Sequence, residues 1–156
     1  MKKLAVVTHV VFIPETKGLD QKEDGRPIFV LEEPFHFWVN GTHHFKIPSG
    51  FRFDYASVPR GLWNLFPPYD PEYAAAALIH DWCYAGEFFP RDFCDELFLG
   101  AMKFRGVPDW KRNTMYAAVR LFGGKAYKTH KQMTKETVRR MSGFSGEKSP
   151  LWKRLS

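Results

Sequence analysis

The chain has 156 residues, 44% hydrophobic and 26% charged. That balance fits one globular domain with its own core and excludes a disordered chain, and no apolar run approaches the ~20 residues of a membrane helix. Its two cysteines exclude a disulfide framework, and its net charge of +6 is uneven, with 9 Lys/Arg and 14 Asp/Glu in residues 1–100 against 14 and 3 in residues 101–156.

The opening MKKLAVVTHVVFIPE sets two lysines before an apolar run, as a signal peptide does. His9 interrupts the run and no small-residue cleavage site follows, so 4–13 reads as a β-branched strand and synthesis is expected in the cytoplasm. Residues 17–27 read as a polar turn. IFVLEE (28–33) and PFHFWV (34–39) follow as strands, and Asn40-Gly41 before THHFKIP is a strong hairpin signal. Residues 49–70 form a loop punctuated by Gly and Pro.

Helices are expected from there. Asp70-Pro71-Glu72 supplies an N-cap acid and a first-turn proline, so a helix runs to about Tyr84 and ends near Gly86. A second runs from near Pro90 to Arg105, with Gly106 as its stop. A third opens at Pro108-Asp109 and ends at about Phe122, before Gly123-Gly124. A fourth covers about 127–141. Strands followed by helices predict an α+β fold: N-terminal antiparallel hairpins packed on a helical hairpin plus one or two further helices. The expected domain is 1–141 (β-rich 1–55, loop 56–70, helical 71–141). A loosely ordered tail, 142–156, is expected to follow, with Leu151 and Trp152 available to dock.

The stretch EYAAAALIHDWCYAGEFFPRDFCDELF (72–98) carries polar residues that packing does not require. A short loop makes its two helices antiparallel, and facing residues then keep a constant index sum. His80 with Asp95, Tyr84 with Arg91 and Ala77 with Phe98 share one sum. His80 and Tyr84, four apart, share a face. A carboxylate on one ring nitrogen fixes the tautomer and leaves the other to take a proton. Asp81, about 100° round the helix, offers an oxygen to a hard cation such as Ca²⁺. That ion needs 6–8 oxygens, and Asp54 in the preceding loop is a further candidate.

AAAALIHDWCY…PRDFCDELF resembles the active-site helix pair of secreted and viral phospholipases A. There His-Asp-x-x-Tyr lies on one helix and Asp-x-x-Phe on the next. The resemblance implies a His80–Asp95 dyad, Tyr84 bonded to the dyad Asp, and Ca²⁺ held at Asp81; Cys83 matches the motif's Cys. The glycine-rich Ca²⁺ loop and the disulfides of those enzymes are absent. IPSGFRFDYASVPRGLW, RDFCDELFLGAMKFRGVPDW and MYAAVRLFGG, over roughly 45–125, resemble a small phage-encoded family described as a domain of unknown function. That resemblance implies phage or prophage origin, other phage proteins as partners, and a location in the host cytoplasm at synthesis and then in a virion. It marks Asp54, Ser57, Pro59, His80, Asp81, Tyr84, Arg91 and Asp95.

Two function classes therefore stand. One is a virion- or tail-associated accessory protein carrying a hydrolase-like site. The other is an active phospholipase or esterase, with His80 as base, Asp95 as its orienter, Tyr84 as support and a cation at Asp81 and Asp54. Against both chemical roles stands a buried polar lock between helices, because a His-Asp-Tyr chain satisfies itself. Asp81 has the alternative of pairing with Arg60 or Arg120. Asp54 and Ser57 have that of capping a turn, and no nucleophile elbow supports Ser57 as a nucleophile. Cys83 and Cys94 read as buried thiols unless the protein reaches an oxidising space. His36, His43 and His44 read as surface residues, because hairpin neighbours point to opposite faces. Trp63, Phe66 and Tyr69 with Pro67-Pro68 read as a packed loop or a partner-facing rim. For the basic residues 101–156 the candidates are solvent, an acidic protein face, an anionic surface or lipid, and, less favoured, nucleic acid.

Overall fold

Alternation of buried and open positions builds the β half. The computed structural model describes residues 7–10, 16–23, 26–39, 41, 43–54, 60–67, 70, 72–128 and 133–144. The strands are β1 (Val7–Val10), β2 (Thr16–Glu23), β3 (Arg26–Leu31), β4 (Phe35–Val39), β5 (His43–Ile47) and β6 (Arg52–Phe53). They form two antiparallel three-stranded sheets, β1-β4-β5 and β2-β3-β6. Along β4, Phe35, Phe37 and Val39 are buried while His36 and Trp38 are half-buried, the period-2 pattern of a sheet with one face on the core. Val39 pairs with His43, so three residues join β4 to β5, with Gly41 at φ 73°.

Residues 17–27, expected as a turn, are mostly strand β2, which pairs with β3 from Thr16↔Leu31 to Glu23↔Arg26. The hairpin signal there is Asp24-Gly25, between the last paired residues. The expected loop 49–70 contains β6, paired to β3, and a 3-10 turn at Arg60–Leu62.

The helices are α1 (Ala74–Gly86), α2 (Arg91–Phe104), α3 (Asp109–Lys128) and α4 (Lys135–Ser142). All of α1 is buried, as expected of a helix apolar on every side, and α2, α3, α4 and β6 pack around it. Trp82 meets Phe37 of β4 edge-on, centroids 5.9 Å apart. Asp70 does not cap α1. Its Oδ1 accepts from the Glu72 amide (2.8 Å), closing a turn before a helix that begins at Ala74. The C-cap is Glu87 at φ 45°, and a Cβ on Gly86 would lie 2.2 Å from the Phe88 ring. Gly86 therefore serves close packing. Gly106, at φ 76°, follows α2 as expected.

Gly123 and Gly124 do not end α3, which continues to Lys128. A Cβ on Gly123 would lie 2.9 Å from the Tyr84 hydroxyl, and one on Gly124 would lie 3.6 Å from the Arg91 guanidinium. These glycines let α3 lie close against α1 and α2. Ser142 and Phe144, within the expected tail, contact the core: Ser142 Oγ accepts from Trp82 Nε1 (3.0 Å), and the Phe144 ring lies 5.1 Å from that of Phe88. The fold is α+β, N-terminal antiparallel strands against four helices. No helix among the described residues is long and apolar enough to cross a membrane.

Candidate functional site

The α1–α2 hairpin brings His80 and Asp95 together. His80 Nε2 lies 2.7 Å from Asp95 Oδ1, and the Tyr84 hydroxyl donates to the same oxygen at 2.5 Å. The other oxygen, Oδ2, accepts from Arg120 Nη1 of α3 at 2.7 Å. Arg91 Nε donates to Tyr84 Oη (3.4 Å), and Arg91 Nη2 donates to the Val119 and Arg120 carbonyls (2.8 and 2.5 Å). Three helices therefore converge on one carboxylate. The His80 ring is walled by Tyr84 (4.1 Å) and Phe98 (4.9 Å).

The electrostatics assign the protons. Burial lowers the His80 pKa, outweighing the upward pull of Asp95, and the Arg91 charge adds to the lowering. Burial alone would raise Asp95. The hydrogen bonds from His80, Tyr84 and Arg120 outweigh it and hold the carboxyl below its ordinary range. Burial, then the bond to Asp95, pushes the Tyr84 phenol upward. The imidazole is accordingly neutral and donates Nε2–H to an ionised Asp95. Arg120, with Arg91 at 3.9 Å, supplies the countercharge.

Such a group can do chemistry only if a reactant reaches the imidazole. His80 and Asp95 are each 0% exposed, and Tyr84 is 3% exposed. A cleft of about 450 Å³ between β5, α1 and α4 is lined by His43, His44, Phe45, Lys46, Trp82 and Phe144 with Ser142, none of which belongs to the group. Asp81 is buried and Asp54 half-buried. Among the described residues no set of three or more His, Cys, Asp or Glu side chains is placed to hold a metal ion. Ser57, Pro59, Tyr69, Leu151 and Trp152, and the side chain of Arg60, lie outside the described residues.

Arg120, one candidate partner for Asp81, binds Asp95. Sequence reasoning gave no sign of this, because the contact depends on how closely α3 approaches. The role of Arg91 in tying Tyr84 to two α3 carbonyls was equally invisible, though its register opposite Tyr84 was not. Cys83 and Cys94 are free and buried. Burial, then the neighbouring Cys83, raises the Cys94 thiol well above its ordinary value. His36 Nδ1 lies 2.7 Å from His44 Nε2 with the rings stacked, a cross-strand pair that alternation along β4 and β5 places on one face. Phe66 is fully buried and Leu65 is exposed.

A family model described as "Protein of unknown function (DUF1353)" matches residues 29–119. An uncharacterized protein of Sinorhizobium fredii, y4jT, is 34% identical over 102 residues, covering 64% of this chain and 30% of that protein. The chain thus matches about a third of that relative's length. No solved structure matches.

Proposed function

We propose, for a chain that belongs to the DUF1353 family, that it acts by binding and not by turnover. In this reading it is an accessory component of a phage-derived virion or tail, and the His80–Asp95–Tyr84 group is its internal lock. The observation that carries the reading is the complete burial of both dyad side chains. A general base must lie within about 3 Å of the proton it takes, directly or through one water. Here both oxygens of Asp95 are occupied from within, and Arg91 and Arg120 flank the group. A buried carboxylate is tolerated when its oxygens meet donors, and Asp95 has two donors at Oδ1 and one at Oδ2. The phage assignment rests on the residue pattern of 45–125. The longer S. fredii relative supports a unit used within larger chains.

The competing reading is a phospholipase- or esterase-type hydrolase, and it draws on the 2.7 Å His80–Asp95 contact. The purified chain is assayed on glycerophospholipid vesicles and a soluble ester, with and without Ca²⁺, beside His80→Asn. The lock reading expects no turnover above the variant and a lower melting temperature in the variant. Turnover that vanishes in His80→Asn while the melting temperature holds would overturn it. Mass spectrometry of purified particles tests the virion assignment, which fails if the chain is absent from them.

A further inference from the structure

The cleft of about 450 Å³ is lined by His43, His44, Phe45 and Lys46, four consecutive residues of β5. Neighbouring side chains of a strand point to opposite faces. A cavity that touches all four therefore lies along the flank of the strand and not on one face. β5 is the outer strand of its sheet, in the order β1-β4-β5, and among the described residues no strand pairs with its far side. Alternate residues of such a strand turn their amide and carbonyl away from the neighbour they pair with. The rest of the lining is Trp82 of α1 with Ser142 and Phe144 at and beyond the end of α4. The Phe45 ring lies 6.3 Å from that of Trp82 and 6.1 Å from that of Phe144.

The polar groups narrow the occupant. Ser142 Oγ accepts from Trp82 and donates to the Val138 carbonyl (2.7 Å), and His44 Nε2 is tied to His36. Lys46 is exposed and forms no ion pair among the described residues. No carboxylate lines the cleft. Among the described residues the cleft thus offers an ammonium group, main-chain donors and acceptors, and three aromatic rings.

We infer that the flank of β5 takes an extended acidic segment of a partner protein, which adds to the sheet as a strand, sets a carboxylate against Lys46 and lays an apolar side chain on Phe45, Trp82 and Phe144. Strand addition draws affinity from main-chain bonds and specificity from alternate side chains. The added strand continues the alternation of β5, where Phe45 is buried and Lys46 exposed. A second copy paired through β5 would set Lys46 against His44 or Lys46 of the copy, and a lysine on an edge strand guards against that pairing. The chain's own residues 145–156 carry Lys148, Lys153 and Arg154 against Glu147, the same sign as Lys46. The cleft shares no residue with the His80 group, so the inference goes beyond the reading of that group and does not rest on it.

The test presents the full chain to a displayed library of short random peptides and measures an enriched peptide by fluorescence anisotropy. The expected result is enrichment of sequences in which Asp or Glu alternates with an aromatic or aliphatic residue. Lys46→Glu weakens the peptide roughly tenfold because it sets like charges together, whereas Lys46→Arg retains binding. Both variants keep the parent's melting temperature, since the side chain is exposed. N-methylating one alternate set of the peptide's amides abolishes binding and N-methylating the other set does not, because only one set faces β5. The inference is overturned if nothing is enriched, if enriched peptides lack acids or bind Lys46→Glu equally, or if both methylated sets bind alike. A dimer of the parent chain that Lys46→Glu alters assigns the flank to a second copy and also overturns it. Peptide binding with this pattern in a chain that also turns over an ester upholds the inference while the lock reading falls.

Discussion

Asp95 holds the interior together through four neighbours, and its charge state sets how the protein meets acid. The folded pKa values of His80 and Asp95 both lie below their ordinary values of 6.5 and 3.8. As pH falls below 6.5 the unfolded chain takes up a proton that buried His80 refuses, so stability is lost from there downward. Asp95 extends the loss as pH passes below 3.8. His36, lowered by burial and by His44, acts in the same direction. Thermal melts should therefore show a falling melting temperature from pH 7 to pH 5. The slope should be shallower in His80→Gln, with the part due to His36 remaining; an identical slope would remove His80 as its source. At this scale the sequence was informative where spacing governs. A short loop between helices fixes the register that sets His80 against Asp95 and Tyr84 against Arg91. It was silent about Arg120, whose reach to Asp95 depends on packing between helices far apart in the chain.

Elements were legible where a local signal had one meaning. Alternation gave β4 and β5, and Gly106 gave the end of α2. Glycine pairs carry two meanings, a helix stop or a close approach, and only tertiary packing decides between them. Gly123-Gly124 proved to be the second kind, and β2 was missed because its polar residues obscured the Asp24-Gly25 hairpin signal. The contact at Gly123 predicts that Gly123→Ala lowers the free energy of unfolding by about 1–3 kcal/mol, the usual cost of overpacking. The new methyl must push against the Tyr84 hydroxyl, 2.9 Å away. Gly61→Ala, with nothing within 4 Å of the added Cβ, should change stability by no more than about 0.5 kcal/mol. Equal effects in urea unfolding would show that α3 does not lie as close to Tyr84 as described.

Across the whole molecule, α1 is a central rod sheathed by sheet and helices, and everything on it is removed from water. Its Cys83, with Cys94 of α2, should share that protection. Folded protein should therefore leave both thiols unreacted with a thiol-specific reagent, and two equivalents should react on unfolding. Rapid reaction of either thiol in the folded chain would show that the α1–α2 interface opens. The basic C-terminal third was legible from composition. Its division between internal countercharge (Arg120 to Asp95, Lys111 to Glu72) and exposed lysines was not, because that depends on which way each helix turns.

The same sealing decides whether the dyad is a lock, and nitrogen-15 NMR of the His80 ring measures it most directly. The account predicts a neutral imidazole carrying its proton on Nε2, with a titration midpoint below 6.5 and exchange with water far slower than at exposed His44. A His80 ring that titrates at its ordinary value and exchanges as fast as His44 would contradict it.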